Sequence, residues 1–211
     1  LDSFEGGFKS IQLPENGGVS KARNSGINAT DSEWVAFLDS DDIWHKEKLE
    51  KQISAAFERP DHFLHFTDEI WIRNGLRINP KRRHQKLEGW IFQPSLELCM
   101  MAPSTVMLKR ELLEKCGLFD ENLQVCEDYD LWLRITAHHQ VALLNEALMT
   151  RHGGHADQLS RKYWGMDRFR VQSLKKILAN VSLHKEDEIA ARRVMRKKCK
   201  ILLKGFRRRN K

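Results

Sequence analysis

Two clusters of carboxylates in this sequence have the types and the spacing that could do chemistry. The first is the segment DSDD at residues 39–42, which directly follows the apolar run at residues 35–38. Three carboxylates this close together repel one another unless a cation or a hydrogen-bond donor offsets their charge. Hard oxygen ligands favour Mg²⁺ or Mn²⁺, and such an ion usually keeps waters and takes phosphate oxygens as further ligands. The segment therefore predicts a metal site for a phosphate ester or a diphosphate.

The second cluster is the pair Glu127 and Asp128, which precedes the apolar residues of a predicted helix. Carboxylates at a helix N-terminus are favoured by the helix dipole, so ordinary capping explains this pair well. Asp and Ser are also common in turns and at helix starts, and the first cluster could likewise cap the helix that follows it. The occurrence of both clusters in one α/β unit is what favours a functional interpretation.

Alternating strands and helices must position the first cluster. The pattern predicts a strand at residues 8–13, a helix that Ser20 caps and that extends to about Ala29, and a central strand that ends at the acids. A second helix is predicted at residues 46–58. This order predicts a mostly parallel sheet with the acids at its carboxyl edge, where open sheets bind ligands. The apolar positions of the second helix are Leu49, Ile53, Ala56 and Phe57.

Lys21 and Arg23 fall in the first turn of the first predicted helix. Positive charge at this end opposes the helix dipole, at a cost of some tenths of a kcal/mol. An anion bound at the helix N-terminus would remove the objection. Simple solvation of both side chains explains them equally well.

The sequence of residues 63–160 predicts shorter helices and strands. A hairpin turn is expected at Asn74-Gly75, and a short helix should end at Gly117. The basic loop KRRHQK at residues 81–86 could hold an anionic ligand, although a solvated loop explains it better. The loop at residues 151–160 contains two histidines and predicts a lid with a metal or phosphate ligand. Strands are predicted at residues 63–67, 104–109 and 141–150, the short helix at 110–116, and a buried helix face at Leu131, Trp132 and Ile135.

Two helices, at residues 161–180 and 185–206, are predicted to end the chain. The second is basic and amphipathic, which suits an anionic membrane surface. Docking of the apolar stripe on the protein body, with the basic face in water, is the alternative. The stripe consists of Met195, Cys199, Leu202, Leu203 and Phe206.

Length and charge limit the classes of protein that fit. A chain of 211 residues with 41% hydrophobic and 31% charged residues fits one globular domain, or one domain with an appendage. The net charge of +7 is concentrated in residues 192–211, which contain eleven Lys or Arg and no acid. The four cysteines lack CxxC spacing, and neither a signal peptide nor a membrane-spanning run is evident. We therefore expect reduced thiols and a cytoplasmic protein that meets an anionic partner through its tail.

Three segments together closely resemble the family 2 glycosyltransferases. They are GGVSKARN at residues 17–24, FLDSDD at 37–42 and EDYDLWLR at 127–134, and the likeness covers roughly residues 8–160 in the correct order. A DxD motif alone is weak evidence, but three segments at these separations are specific. The resemblance implies an α/β fold of the GT-A type, a Rossmann-like mixed sheet flanked by helices. We expect a GT-A domain at residues 1–160 and a helical, basic extension at 161–211.

The resemblance implies an inverting transfer of a sugar from a nucleotide-sugar donor to an acceptor hydroxyl, assisted by Mg²⁺ or Mn²⁺. It also implies a place in bacterial cell-surface glycan synthesis, with a glycan or lipid-linked acceptor and peripheral membrane contact through the last helix. Asp128, with Glu127, resembles the general base that activates the acceptor hydroxyl. The residues that resemble donor-binding residues are Lys21, Arg23, Asn24, Asp39 and Ser40, and those that resemble metal ligands are Asp41 and His155.

The sequence departs from the family pattern in two ways that bear on its expected activity. Family members open with a strand-helix-strand unit that holds the nucleotide base, and Leu1 begins after that unit. A catalytically incomplete fragment that still binds nucleotide sugars is therefore an alternative. The QxxRW motif and the membrane spans of processive synthases are absent, which favours addition of one sugar at a time.

Two other classes fit less well. A phosphatase of the haloacid dehalogenase type also has a DxD after an apolar strand, but it needs Thr or Val two residues after the second Asp, where Ile43 stands. A nucleic-acid-binding module is disfavoured because the basic excess lies in the tail and the body has no aromatic and basic reader motif.

Overall fold

A six-stranded sheet flanked by helices forms the centre of the protein. The computed structural model describes residues 7–154 and 163–209. The strands are β1 (Trp34–Ala36), β2 (Ile43–Trp44), β3 (Leu64–Arg73), β4 (Leu76–Ile78), β5 (Val106–Lys109) and β6 (Ala142–Gly153). The helices are α1 (Gly18–Asn28), α2 (Lys48–Glu58), α3 (Phe92–Glu97), α4 (Arg110–Cys116), α5 (Glu127–Thr136), α6 (Asp167–Asn180) and α7 (Lys185–Arg209).

The sheet is mixed, and most of its pairs are antiparallel. The strands lie in the order β1, β5, β3, β6 and β2, and β4 pairs with β3. Among the described strands, only β3 and β6 run parallel. The predicted mixed sheet is confirmed, whereas the prediction of mostly parallel pairing is wrong. Periodicity indicates a strand but not the direction of its partners, because contacts distant in sequence set that direction.

The strand predicted at residues 8–13 does not form. These residues are irregular, and β1 lies at an edge of the described sheet, where it pairs only with β5. A strand needs a neighbour to satisfy its backbone hydrogen bonds, and none of the described strands pairs with this segment. The prediction is therefore wrong for this structure.

Helix α1 begins two residues before the position predicted for its cap. It starts at Gly18, whose N–H donates to Asn16 Oδ1 at 3.1 Å and whose φ of +82° favours glycine. Ser20 is already inside the helix and is buried, so the prediction that it caps the helix is wrong.

Helix α2 buries only Ala56 of the four apolar positions predicted for it, and the rest of its buried stripe is polar. Phe57 is 80% exposed, and Leu49 and Ile53 are also exposed, whereas Lys48 and Gln52 are fully buried. The cause is hydrogen bonding. The Gln52 amide donates to the backbone carbonyls of His65 on β3 and Thr105 before β5, at 3.3 and 3.0 Å. These bonds turn the polar stripe toward the sheet.

Several predicted elements agree with the structure. The Asn74-Gly75 turn joins β3 to β4, and both residues have positive φ. Helix α4 spans Arg110–Cys116 as predicted, and Gly117, with φ of +80°, caps its C-terminal end. The predicted strands at residues 63–67, 104–109 and 141–150 correspond to β3, β5 and β6. The predicted apolar face of α5, at Leu131, Trp132 and Ile135, is buried.

The C-terminal helices pack on the body and share its core. Helix α7 buries Ala190, Ala191 and Val194 in a cluster with residues of α3, α5 and α6. Its second half is different, because Cys199, Leu203 and Phe206 are exposed. The predicted apolar stripe is therefore only partly covered by the described part of the chain.

Candidate functional site

An open cavity of about 1300 Å³ lies beside the carboxyl end of β1. Its wall includes the segment that follows β1, the start of α5, the middle of β3 and the end of β6. Both acidic clusters line it, with Asp39, Asp41 and Asp42 from the first and Glu127 and Asp128 from the second. The chain thus brings two segments that are far apart in sequence to one site.

Arg23 links the two clusters. Its guanidinium donates to Asp39 Oδ1 at 2.5 Å and to Glu127 Oε1 at 2.7 Å. The side chains of Arg23 and Glu127 are each only 9% exposed, so the charges compensate one another away from water. Burial and the neighbouring Asp128 charge raise the pKa of Glu127 to about 6. The bridge therefore fixes the start of α5 against the segment after β1.

The first cluster presents its three acids differently. Asp39 is bound to Arg23, and its backbone N–H donates to Ser104 Oγ at 3.0 Å. Asp42 accepts the backbone N–H of His152 at 3.3 Å, and burial, with the charges of its acidic neighbours, raises its pKa. Asp41 is exposed and lines the cavity. Among the described residues it has no hydrogen bond or ion pair.

The second cluster is held by unusual backbone geometry. Cys126 precedes α5 in the left-handed region, with φ of +63°, a conformation that costs energy for a residue with a Cβ. Asp128 Oδ1 accepts the N–H of Tyr129 at 2.7 Å, and Oδ2 accepts the thiol of Cys99 at 3.4 Å. Burial and the Asp128 carboxylate raise the pKa of Cys99 well above its usual range, so the thiol stays a donor. Asp128 is thereby oriented and half-buried.

The segment before α5 is fixed by two further residues of the family-like motifs. Asn24 is buried and exchanges two hydrogen bonds with the Phe119 backbone, at 2.9 and 3.1 Å. Arg134 donates to the carbonyls of Cys116 and Gly117 at the end of α4 and to the Leu118 carbonyl at 2.7 Å. Both side chains position the acidic cluster by holding the chain that leads to it.

Some of the other residues singled out in the sequence lie outside the cavity. Asn24 is outside the cavity wall, and so is Lys21, which faces Glu15 at 3.8 Å on the surface. Ser40 is exposed and lines the cavity. His155 lies outside the described residues. No group of three or more His, Cys, Asp or Glu that could hold a metal occurs among residues 7–154 and 163–209.

Sequence reasoning missed several residues of the cavity. Cys99 donates its thiol to Asp128, yet no motif surrounds it in the sequence. Arg151 faces the acids from the start of the predicted lid loop, where only the histidines were singled out. Lys86 belongs to the basic loop for which solvation is the better explanation in the sequence and an anionic ligand the alternative; in the structure it is mostly buried and pairs with Glu69 at 2.6 Å. The apolar run Ile70-Trp71-Ile72, which directly follows Glu69, is a sequence signal that could have marked Glu69 as part of a strand.

In the part of the chain that is described, no helix has the length and apolar character to cross a membrane.

Curated relatives of this chain are glycosyltransferases. It is 34% identical over 128 residues to the UDP-Glc:alpha-D-GlcNAc-diphosphoundecaprenol beta-1,3-glucosyltransferase WfgD of Escherichia coli. It is 31% identical over 125 residues to the putative teichuronic acid biosynthesis glycosyltransferase TuaG of Bacillus subtilis. These matches cover 61% and 59% of this chain and 48% of each relative. The chain thus spans about half the length of these relatives, and 22% of an uncharacterized glycosyltransferase of Rickettsia felis.

Solved structures share the fold. S. aureus TarS 1-349 in complex with UDP-GlcNAc superposes with a TM-score of 0.67 at 22% identity, covering 89% of this chain and 54% of TarS. The mannosyltransferase PcManGT of Pyrobaculum calidifontis, in complex with GDP-Man and Mn²⁺, gives a TM-score of 0.56 at 13% identity, covering 92% of this chain and 61% of the other. The predicted GT-A-type fold class is confirmed.

The family match covers the N-terminal half of the chain, including the first acidic cluster. The sequence model of Glycosyl transferase family 2 matches residues 1–117, which is more than half of the chain. The resemblance predicted from the three segments is confirmed, and the chain is a glycosyltransferase-type sequence that belongs to glycosyl transferase family 2.

Proposed function

We propose that this chain carries the catalytic core of an inverting, metal-dependent glycosyltransferase that adds one sugar to an acceptor hydroxyl. The observation that carries the proposal is the Arg23 bridge, which holds Asp39 and Glu127 together. Through it, the segment suited to a metal and a diphosphate faces the carboxylate suited to a general base. Transfer from a nucleotide-diphospho-sugar needs both functions in one cavity.

We assign metal binding to Asp41. Its carboxylate is exposed in the cavity, whereas Asp39 is bound by Arg23 and Asp42 accepts the His152 N–H. One carboxylate suits Mg²⁺ or Mn²⁺ here, because such ions usually keep waters and bind substrate phosphates. When bound, the ion would neutralise negative charge that develops on the departing diphosphate. His155 is retained as a second proposed ligand from the family resemblance.

We assign donor binding to three residues of the cavity wall, Arg23, Asp39 and Ser40. Asp39 is 32% exposed and offers the donor ribose a carboxylate oxygen that Arg23 does not use. Ser40 adds an exposed hydroxyl on the same segment. The UDP-GlcNAc complex of TarS and the GDP-Man complex of PcManGT support a nucleotide-sugar donor for this fold.

We assign the general base to Asp128. Its carboxylate takes the proton of the acceptor hydroxyl while the hydroxyl oxygen forms a bond to the anomeric carbon of the donor sugar. The bond from that carbon to the diphosphate breaks, and the nucleoside diphosphate leaves with the electron pair from the opposite face, which inverts the configuration. The Cys99 thiol and the Tyr129 N–H hold Asp128 in place, while Glu127 holds Arg23.

A role in cell-surface glycan synthesis is supported by the names of the relatives, one in teichuronic acid biosynthesis and one acting on GlcNAc-diphosphoundecaprenol. We propose a glycan or lipid-linked acceptor for this protein. The exposed apolar residues Leu203 and Phe206, on a helix whose last turn is Arg207, Arg208 and Arg209, support peripheral contact with an anionic membrane.

Calorimetric titration of UDP and GDP, each with and without Mn²⁺, tests the donor site. We expect binding of one nucleotide that depends on Mn²⁺ and is lost in Asp41→Ala. Asp61→Ala is the matched control, because Asp61 is an exposed carboxylate away from the cavity. Nucleotide binding that does not depend on Mn²⁺, or that persists in Asp41→Ala, would overturn the assignment of metal binding to Asp41.

A further inference from the structure

The cavity extends beyond the acids to a wall on β3 that the proposed donor site does not use. Glu69 and Trp71 of β3, with Lys86 and Arg151, line this part. The pairing of β3 with β6 shifts register twice next to Glu69, first between Thr67 and Asp68 and again between Asp68 and Ile70, the step that contains Glu69. Such bulges redirect side chains and are frequent beside active sites. The irregular pairing therefore explains how a strand in the core delivers a carboxylate to the cavity.

Glu69 is a buried carboxylate, and one of its oxygens lacks a well-formed hydrogen bond. Its side chain is 3% exposed, and its Oε1 accepts the Lys86 ammonium at 2.6 Å. Its Oε2 is buried and makes no hydrogen bond of ordinary geometry among the described residues; the Arg151 guanidinium is 4.0 Å away, and the Trp71 side chain also interacts with the carboxylate. A buried acceptor without a donor costs free energy, which a ligand hydroxyl would recover. The two cations keep Glu69 ionised, and its pKa is below the usual value because their attraction outweighs burial.

Trp71 supplies an aromatic surface two residues further along β3. It is partly exposed, lines the same cavity and meets the edge of His84, with ring centroids 5.0 Å apart. An aromatic ring beside a charged hydrogen-bonding group is the usual composition of a site for an amphipathic small ligand. A sugar ring is such a ligand, since it has apolar C–H faces and hydroxyls at its rim.

This wall adjoins the proposed general base. Lys86, which holds Glu69, also donates to the Met100 carbonyl at 2.9 Å. The neighbouring residue Cys99 donates its thiol to Asp128. Arg151 interacts electrostatically with both Glu69 and Asp128. These contacts place Glu69, Trp71 and the proposed base on adjoining parts of one cavity.

We infer that Glu69 and Trp71 form the subsite for the acceptor sugar. The inference rests on the proposed function, and it names the acceptor as a saccharide whose ring lies on Trp71 and whose hydroxyl donates to Glu69 Oε2. A different hydroxyl of the same sugar gives its proton to Asp128 and forms the new bond to the donor. Lys86 and Arg151 are positioning residues, because they hold Glu69 ionised and in place.

Saturation-transfer NMR with a panel of methyl glycosides tests the inference directly. The panel contains glucose, N-acetylglucosamine, galactose and mannose, each as both anomers. We expect at least one glycoside to bind the wild type and to bind about tenfold more weakly in Glu69→Gln, which loses a charged hydrogen-bond acceptor. A similar loss is expected in Trp71→Ala and a smaller one in Trp71→Phe, which keeps an aromatic face.

Matched controls separate this outcome from damage elsewhere. Glu88→Gln and Trp90→Ala alter an exposed carboxylate and an exposed indole outside the cavity, and should bind the glycoside as the wild type does. Mn²⁺-dependent nucleotide binding should persist in Glu69→Gln and Trp71→Phe, which shows that both variants are folded. Absence of that binding in the wild type would count against the donor site alone. Glycoside signals that are missing in the wild type, or unchanged in both variants, would overturn the acceptor subsite.

Discussion

At the scale of single residues, Arg23 connects the chemistry to the fold. It is one guanidinium shared by two carboxylates, and its side chain and that of Glu127 are nearly inaccessible to water. Removing it leaves Glu127 buried without its partner, which in comparable sites costs about 3–5 kcal/mol. We therefore expect Arg23→Met to lower the free energy of unfolding by that amount in urea titrations. Arg82→Met, at an exposed position, is the control, and an equal effect of both substitutions would contradict the account.

Lys48 is a second residue with a consequence that can be measured. It is fully buried, hydrogen-bonded to Gln52, and 4.5 Å from the Trp44 ring, and burial lowers its pKa to about 8. Because the usual value is 10.5, the unfolded chain binds this proton more strongly between pH 8 and 10.5. The cost of burying the Lys48 charge is therefore complete below pH 8, and it disappears as the pH rises through this range.

The matching variant is Lys48→Met, which removes the charge at similar volume. We expect it to be more stable than the wild type at pH 7 by about 1–3 kcal/mol. The difference between the two proteins should shrink as the pH rises from 8 to 10.5, which chemical denaturation at several pH values would reveal. A difference that stays constant over this range would show that the Lys48 charge is not the cause.

The residue types of the site were accessible from the sequence, but their contacts were not. The clusters at residues 39–42 and 127–128 are marked by their own composition, and the structure places both in one cavity. The pairing of Arg23 with Glu127 joins positions 104 residues apart, and the bond from Cys99 to Asp128 has no local pattern. Contacts of this kind depend on tertiary packing, which one sequence does not encode in any short window.

At the scale of elements, α2 shows why periodicity can select the wrong face. Its apolar stripe and its polar stripe both repeat every four residues, so spacing alone does not distinguish them. The polar stripe is buried because Gln52 satisfies two backbone carbonyls. Leaving two buried carbonyls without donors would cost more free energy than exposing these apolar side chains costs.

This explanation predicts opposite sensitivities along one helix. Phe57→Lys should leave the free energy of unfolding within about 0.5 kcal/mol of the wild type, as expected for an exposed position. Gln52→Leu should cost about 1–3 kcal/mol, since two carbonyls and Lys48 lose their partner. Thermal unfolding of the two variants measures both effects, and the reverse ranking would refute the observed orientation of α2.

The last turns of α7 carry a prediction about membranes. Leu203 and Phe206 are about half exposed, on a helix with basic residues nearby. If this surface meets an anionic bilayer, Leu203→Glu should reduce flotation with phosphatidylglycerol vesicles several-fold, through lost apolar burial and added negative charge. Ile189→Glu, at the exposed start of the same helix, should have little effect. Equal flotation of the wild type and Leu203→Glu would speak against membrane contact.

At the scale of the whole molecule, the α/β class and the order of most elements follow from the sequence. The direction of the strands does not, and the strand predicted at residues 8–13 does not form. The strands from β3 onward were located because each has its own apolar run and turn signals. Their mixture of directions follows from which strands become neighbours, as in the antiparallel placement of β5 beside both β1 and β3. That arrangement depends on helix packing over the whole chain.

The C-terminal helices also belong to this scale, because α6 and α7 share a core cluster with Tyr129 and Leu133 of α5. Lys176 of α6 adds ion pairs to Asp120 and Asp130, at 2.5 and 2.9 Å. The helix that opens with the proposed base therefore packs directly on the C-terminal region.

The central claim is that both acidic clusters act at one transfer site, with Asp128 as the base. The most direct measurement is release of nucleotide from UDP- and GDP-sugars in the presence of Mn²⁺ and the panel of methyl glycosides as acceptors, comparing the wild type with Asp128→Asn. The account predicts that Asp128→Asn lowers the rate by a factor of about 10² to 10⁴ while calorimetric nucleotide binding is unchanged. An undiminished rate in Asp128→Asn would contradict it.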